Sequence, residues 1–149
     1  MNLSFLLTER SCSNHPIRVA VIGCGKFATM YLTQARQTAG IHIVGIADLD
    51  PARAMKQLTT AGWTAEQYAA DNPADAMAKG STWITENADQ LIDLSEIDVV
   101  VEATGVPTAG IRHCRRAIAA GHHIVMVNVE ADVVAGPLLA REAQAAGVV

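Results

Sequence analysis

The sequence predicts a doubly wound α/β fold built on a mostly parallel sheet, and three observations carry the prediction. From Ile17 onward, short β-branched runs alternate with longer alanine-rich segments of helical period, the pattern of repeated βαβ units. Half of the residues are apolar but only 4% are aromatic, so alanine and valine fill the interior, as suits helices lying close on a sheet buried on both faces. A glycine-rich turn follows the first apolar run directly and opens a helical segment. At 149 residues the chain has room for one such domain and none for a second.

The elements follow in order. Residues 1–16 form an arm with Leu3, Leu6, Leu7 and Arg10 at helical spacing, and residues 17–149 form the domain. IRVAVI, residues 17–22, reads as the first strand and residues 26–38 as a helix stopped near Gly40. Residues 41–47 form the second strand, and residues 51–61 a helix with Pro51 in its first turn and Gly62 behind it. The middle is less regular, with short helices at residues 64–70 and 73–78, a strand at 82–85 and a helix at 88–94. Regularity returns with a strand at 97–102, a helix at 107–120 stopped by Gly121, a strand at 123–127 and a helix at 136–146 stopped by Gly147. Val148 and Val149 read as the opening of a sixth strand, so the chain is expected to stop short of a further, catalytic domain.

Composition removes several function classes. Eleven basic against fifteen acidic residues leave a net charge of −4, which gives no global field to attract a nucleic acid or an anionic membrane. No apolar run approaches the roughly 18 to 20 residues that span a bilayer, and the first residues lack the basic start and apolar core of a secretory signal, so a cytoplasmic protein is expected. Cys12, Cys24 and Cys114 are odd in number and widely separated, which speaks against a disulfide framework or a structural zinc site.

The strongest motif is Gly23-Cys24-Gly25-Lys26-Phe27-Ala28. Gly23 permits the tight turn, Gly25 lets a diphosphate reach the backbone, and Ala28 is small enough for close packing of helix on strand. The free N–H groups of the first turn, including those of Lys26 and Phe27, would face phosphates at the positive end of the helix dipole. Asp48 ends the second strand twenty positions after Ala28, the spacing at which a carboxylate accepts from an adenosine ribose and favours NAD. The alternative for Asp48 is a cap on the helix from Pro51. Arg53 either offers a guanidinium to a 2′-phosphate, which would favour NADP, or lies on a solvated face. These features predict a Rossmann dinucleotide-binding fold with NAD or NADP as cofactor.

A second cluster falls at the carboxyl ends of the fourth and fifth strands, where open α/β sheets bind ligands. Ala103, Thr104 and Gly105 after one strand, and Asn128 and Glu130 after the other, are expected to line the ribose and nicotinamide end, with Glu102 and Glu130 also readable as loop or capping residues. Cys24 reads as a small filler rather than a nucleophile. His122 and His123 read as surface residues, and Arg112, Arg115 and Arg116 as a solvated helix face. Trp63, Tyr68 and Trp83 are expected to pack around the irregular middle.

IRVAVIGCGKFA, IVGIADLDPARA, IDVVVEATGVPTAGIRHC and HHIVMVNVEADVVAGPLLAREAQAAGVV together resemble the amino-terminal domain of homoserine dehydrogenase-like NAD(P)-dependent oxidoreductases. More narrowly, VNVEADV resembles the deoxyxylulose phosphate reductoisomerase-like branch. The resemblance implies hydride transfer to a small hydroxy or keto substrate. In a full-length relative of that branch it implies reduction and isomerisation of 1-deoxy-D-xylulose 5-phosphate to 2-C-methyl-D-erythritol 4-phosphate, a step of isoprenoid biosynthesis, with NADPH. A divalent metal and a homo-oligomer are likewise implied only with the catalytic domain that full members carry. Where relatives have Asn-Lys, this sequence has Asn128-Val129, so no lysine-dependent proton transfer is implied there and no catalytic residue is named. The rival reading is a non-enzymatic NAD(P)-sensing module or an inactive fragment; an S-adenosylmethionine-dependent methyltransferase is more distant.

Overall fold

The computed structural model describes residues 2–149. Its elements are α1 (Leu3–Cys12), β1 (Ile17–Ile22), α2 (Lys26–Ala35), β2 (Ile41–Ala47), α3 (Pro51–Thr60), a 3-10 turn (Ala65–Tyr68), α4 (Pro73–Lys79), β3 (Trp83–Thr85), α5 (Ala88–Ile92), β4 (Val99–Glu102), α6 (Pro107–Ala120), β5 (His123–Met126) and α7 (Val129–Ala146). The five strands are all parallel, in the order β3-β2-β1-β4-β5. Between β1 and β4 the order reverses, and the carboxyl ends of those two strands frame the crevice where such sheets take ligands.

Alternation along the strands explains the two layers of helix. Val19, Val21 and Ile43 point to one face, where they pack with Leu32 of α2, Leu58 of α3 and Trp63. Ala20, Ile22, Val44 and Val100 point to the other, against Leu91, Ile92 and Ala117. Trp63 is buried and its indole N–H donates to the Leu32 carbonyl at 3.0 Å, so this large ring has a partner for its polar atom. A third apolar cluster joins Cys114 and Ile118 of α6 to Leu139 and Ala143 of α7.

Three expectations need correction. The last helix begins at Val129, not 136, because the Asn128 side chain caps it by accepting from the Ala131 N–H at 3.2 Å, and Glu130 and Asp132 sit in its first turn. Gly136-Pro137 looks like a helix start, but Pro137 lies inside the helix and simply lacks an N–H to give the preceding turn. His122 is buried, not on the surface: its Nε2 lies 2.8 Å from the Ile92 carbonyl oxygen, tying β5 to α5. His123 is exposed. Val148 and Val149 form no assigned strand, although the Ile124 N–H of β5 donates to the Val149 carbonyl at 2.7 Å.

Candidate functional site

The glycine turn is built by contacts from three elements. Gly23 has φ +91°, and a Cβ there would lie 2.8 Å from the Ala103 carbonyl oxygen and 2.9 Å from the Thr104 Cα. Glycine is therefore required at 23 by backbone conformation and by the packing of the loop after β1 on the loop after β4. Gly25 differs. Its φ is −86°, and a Cβ there would meet no protein atom within 4 Å. It stands at the N-cap of α2 with no side chain capping that end, so the first N–H groups of the helix, those of Lys26, Phe27 and Ala28, have no intrahelical partner. Lys26 and Phe27 are exposed, whereas Ala28 is buried against the sheet.

Asp48 lies beside this turn and is only 6% exposed. One carboxylate oxygen accepts from the Cys24 N–H at 2.7 Å, and the other from the Asp50 N–H at 2.9 Å. The Arg53 guanidinium donates to both, at 2.8 and 3.1 Å. Burial pushes the Asp48 carboxyl up, but the two N–H donors and Arg53 outweigh burial and hold it below the usual carboxylate range. The cap of α3 is Asp50, which accepts from the Arg53 N–H at 3.0 Å, so the capping alternative for Asp48 is displaced by its neighbour. Cys24 is fully buried between the two glycines, and burial with the Asp48 charge raises its thiol to about 11. That makes it a filler, as expected.

A cavity of about 600 Å³ opens between the ends of β1, β2 and β4, its walls including Gly23, Asp48, Arg53, Thr104, Val106 and Arg112. Such a volume lies within the range of small-molecule and cofactor sites. Thr104 of the second cluster thus joins Gly23 and Asp48 of the first. Gly105 is exposed at the same turn, and Ala103 contributes backbone that packs under Gly23. Asn128 and Glu130 are not among these walls: Asn128 is 2% exposed and spends its oxygen on the cap of α7, and Glu130 is exposed on the first turn of that helix.

Several wall residues were missed. Leu49, next to Asp48, is 93% exposed at the cavity edge, and Val106 is also exposed there. Arg112, assigned to a solvated face with Arg115 and Arg116, is exposed as expected, yet it also lines the cavity. Its guanidinium donates to Asp89 at 2.6 and 2.8 Å and reaches His113 Nε2 at 3.0 Å. The signal available in the sequence was position, since Arg112 and His113 lie in the amino-terminal half of a helix that begins at the ligand side of the sheet. Among the described residues, no group of three or more metal-ligating side chains comes together, and no helix is long and apolar enough to cross a membrane.

Residues 23–149 match the family model described as homoserine dehydrogenase, NAD binding domain. The chain belongs to that family. Within this family the domain is the nicotinamide-cofactor part of dehydrogenases, so the glycine turn and its cavity lie in an NAD-binding domain of oxidoreductases. A homoserine dehydrogenase from Thiobacillus denitrificans superposes with a TM-score of 0.70 at 25% identity, over 89% of this chain and 28% of that one. A biliverdin reductase from Synechocystis sp. PCC 6803, solved with biliverdin and NADP+, gives a TM-score of 0.65 at 20% identity, over 90% of this chain and 36% of that one. The WlbA dehydrogenase from Bordetella pertussis, solved with NADH and UDP-GlcNAcA, gives 0.62 at 20% identity, over 89% and 36%. The last two establish the shared fold alone. The chain spans about a third of the length of these structures. Among curated proteins, none matches this chain.

Proposed function

We propose that this chain holds a nicotinamide dinucleotide in extended form across the carboxyl ends of β1, β2 and β4, as the cofactor half of an oxidoreductase acting on a small hydroxy or keto substrate. The observation that carries the reading is Gly25. Its backbone angle suits any residue and a Cβ would touch no protein atom, so folding does not demand glycine there. A diphosphate lying on the open N-terminus of α2 would demand it. The first-turn N–H groups of α2 would donate to the phosphates, Asp48 and Arg53 would meet the adenosine ribose, and Ala103, Thr104 and Gly105 would flank the path toward the nicotinamide, with Asn128 and Glu130 shaping it only from behind, through the start of α7. When bound, that cofactor supplies the hydride; the residues here bind it, orient it and screen it from water.

Asp48 and Arg53 frame the choice between NAD and NADP. With both carboxylate oxygens already engaged by Arg53, a ribose hydroxyl must share or displace the guanidinium, whereas a 2′-phosphate would attract it away. The narrower reductoisomerase reading would make the substrate 1-deoxy-D-xylulose 5-phosphate. Its support is the resemblance carried by VNVEADV, which keeps Asn128 and Glu130, and Val129 in place of lysine counts against it.

The test is a titration of Gly25→Val beside the unaltered chain with NADH and NADPH. The reading expects the variant to stay folded and to lose at least about a hundredfold in affinity, since two or more charge-assisted hydrogen bonds become inaccessible. Equal affinity in a folded Gly25→Val would remove the reading.

A further inference from the structure

Glu102 is a carboxylate with no exposed surface, at the end of a strand whose other residues are Val99, Val100 and Val101. Burying a charge is costly unless it is paired, so its surroundings should explain it. One oxygen accepts from the Thr104 hydroxyl at 2.5 Å and from the Thr104 N–H at 3.3 Å, and lies 3.4 Å from His113 Nδ1. His113, 4% exposed, meets the Arg112 guanidinium through its other nitrogen, and Arg112 in turn holds Asp89. The second Glu102 oxygen and the Asn128 amide nitrogen lie side by side under Gly110, where a Cβ would come within 3.0 and 2.8 Å of them, and against burial His113, Thr104 and that amide hold the Glu102 carboxyl below its ordinary range. The carboxylate thus sits where the ends of β4 and β5 and the underside of α6 converge.

Two features of this arrangement point toward the cleft. Thr104 is itself a wall of the cavity, and the Ala103–Thr104 backbone is the surface on which Gly23 packs. A shift of the Thr104 turn would therefore change the cavity wall and the seat of the glycine loop together. A valine in place of Glu102 would continue the strand more cheaply but would leave the Thr104 hydroxyl without its acceptor.

Resting on the cofactor-site reading above, we propose that Glu102 is a positioning residue for the dinucleotide, acting through Thr104 to fix the loop after β4 against the phosphate loop. Glu102 does not touch the ligand. It sets where Thr104 and Gly23 stand, and Gly110 is small so that this carboxylate and Asn128 fit beneath α6.

The experiment is a double-mutant cycle on the affinity of the full chain for NADH and NADPH, with folding checked by circular dichroism and urea unfolding. Glu102→Met and Thr104→Val should each weaken binding about tenfold, and the double variant no further, because one pathway is broken twice. Glu102→Gln, which keeps a carbonyl acceptor for the Thr104 hydroxyl, should recover most of the loss. Unchanged affinity in folded Glu102→Met, losses that multiply to about a hundredfold in the double variant, or no recovery with Glu102→Gln would each overturn the proposal. Should Glu102→Met fail to fold, Thr104→Val decides alone, and unchanged affinity in it overturns the proposal. An unaltered chain that binds neither nucleotide removes the cofactor-site reading itself; one that binds, with affinity indifferent to these substitutions, removes only the role of Glu102.

Discussion

Gly23 and Gly25 stand two positions apart and answer to different constraints. At Gly23 a side chain meets both a left-handed backbone and the Ala103 carbonyl, so Gly23→Ala should lower unfolding stability by about 1–3 kcal/mol in urea titrations. At Gly25 it meets nothing, and Gly25→Ala should cost within about 1 kcal/mol, the range of an N-cap change. Asp48 allows a pH prediction. Its carboxyl titrates lower in the folded chain than in the unfolded one, so the stability it contributes is fully present above the unfolded value near pH 4 and is lost as pH falls through the lower folded value. Asp48→Asn should therefore lower stability at pH 7 by about 2 kcal/mol and flatten the decline below pH 4, as read from urea midpoints across pH. An unchanged acid limb would mean that Asp48 is not the group responsible. Of the three thiols, Cys24 and Cys114 are buried and raised to about 11, whereas Cys12 is exposed. A thiol-reactive dye should label Cys12 alone in the native chain and all three cysteines in denaturant.

At the scale of elements, local pattern sufficed where one signal acted alone. IRVAVI and IHIVGIA are near-continuous apolar runs bounded by turn residues, as strands buried on both faces are, and β1 and β2 fall where that pattern puts them. The end of β2 is harder, because two aspartates lie two residues apart before Pro51 and both fit a cap. Only the fold assigns Asp50 to α3 and Asp48 to the Cys24 N–H. Burial of Glu102 depends on His113 eleven positions later and on Gly110 between them, a relation that exists only once α6 lies over β4. The start of α7 was misread because Gly136-Pro137 carries helix-start chemistry while Asn128 carries more of it. Asn128→Ala should accordingly cost about 1 kcal/mol or more through loss of the cap, and Asn128→Asp, which keeps the cap acceptor but sets a second carboxylate beside buried Glu102, should not recover it, measured by thermal unfolding.

For the whole molecule, a five-stranded parallel sheet covered on both faces leaves its carboxyl edge as the place where loops from β1, β2 and β4 meet. The sequence carried that edge in three separate stretches, GCGKFA, ADLD and EATG, each weak alone and each placed by strand order beside the others. What it did not carry is the cross-connection from Asp89 through Arg112 and His113 to Glu102, because those residues come together from α5, α6 and β4. The central claim is that this edge binds a nicotinamide dinucleotide. It is tested most directly by calorimetric titration of the 149-residue chain with NADH and with NADPH in one buffer at one salt concentration. Saturable binding of one or both, abolished in Gly25→Val, is the predicted result, and the tighter nucleotide tells whether Asp48 or Arg53 governs the ribose. Absence of heat with both nucleotides from a folded chain, or equal binding by Gly25→Val, would contradict the account.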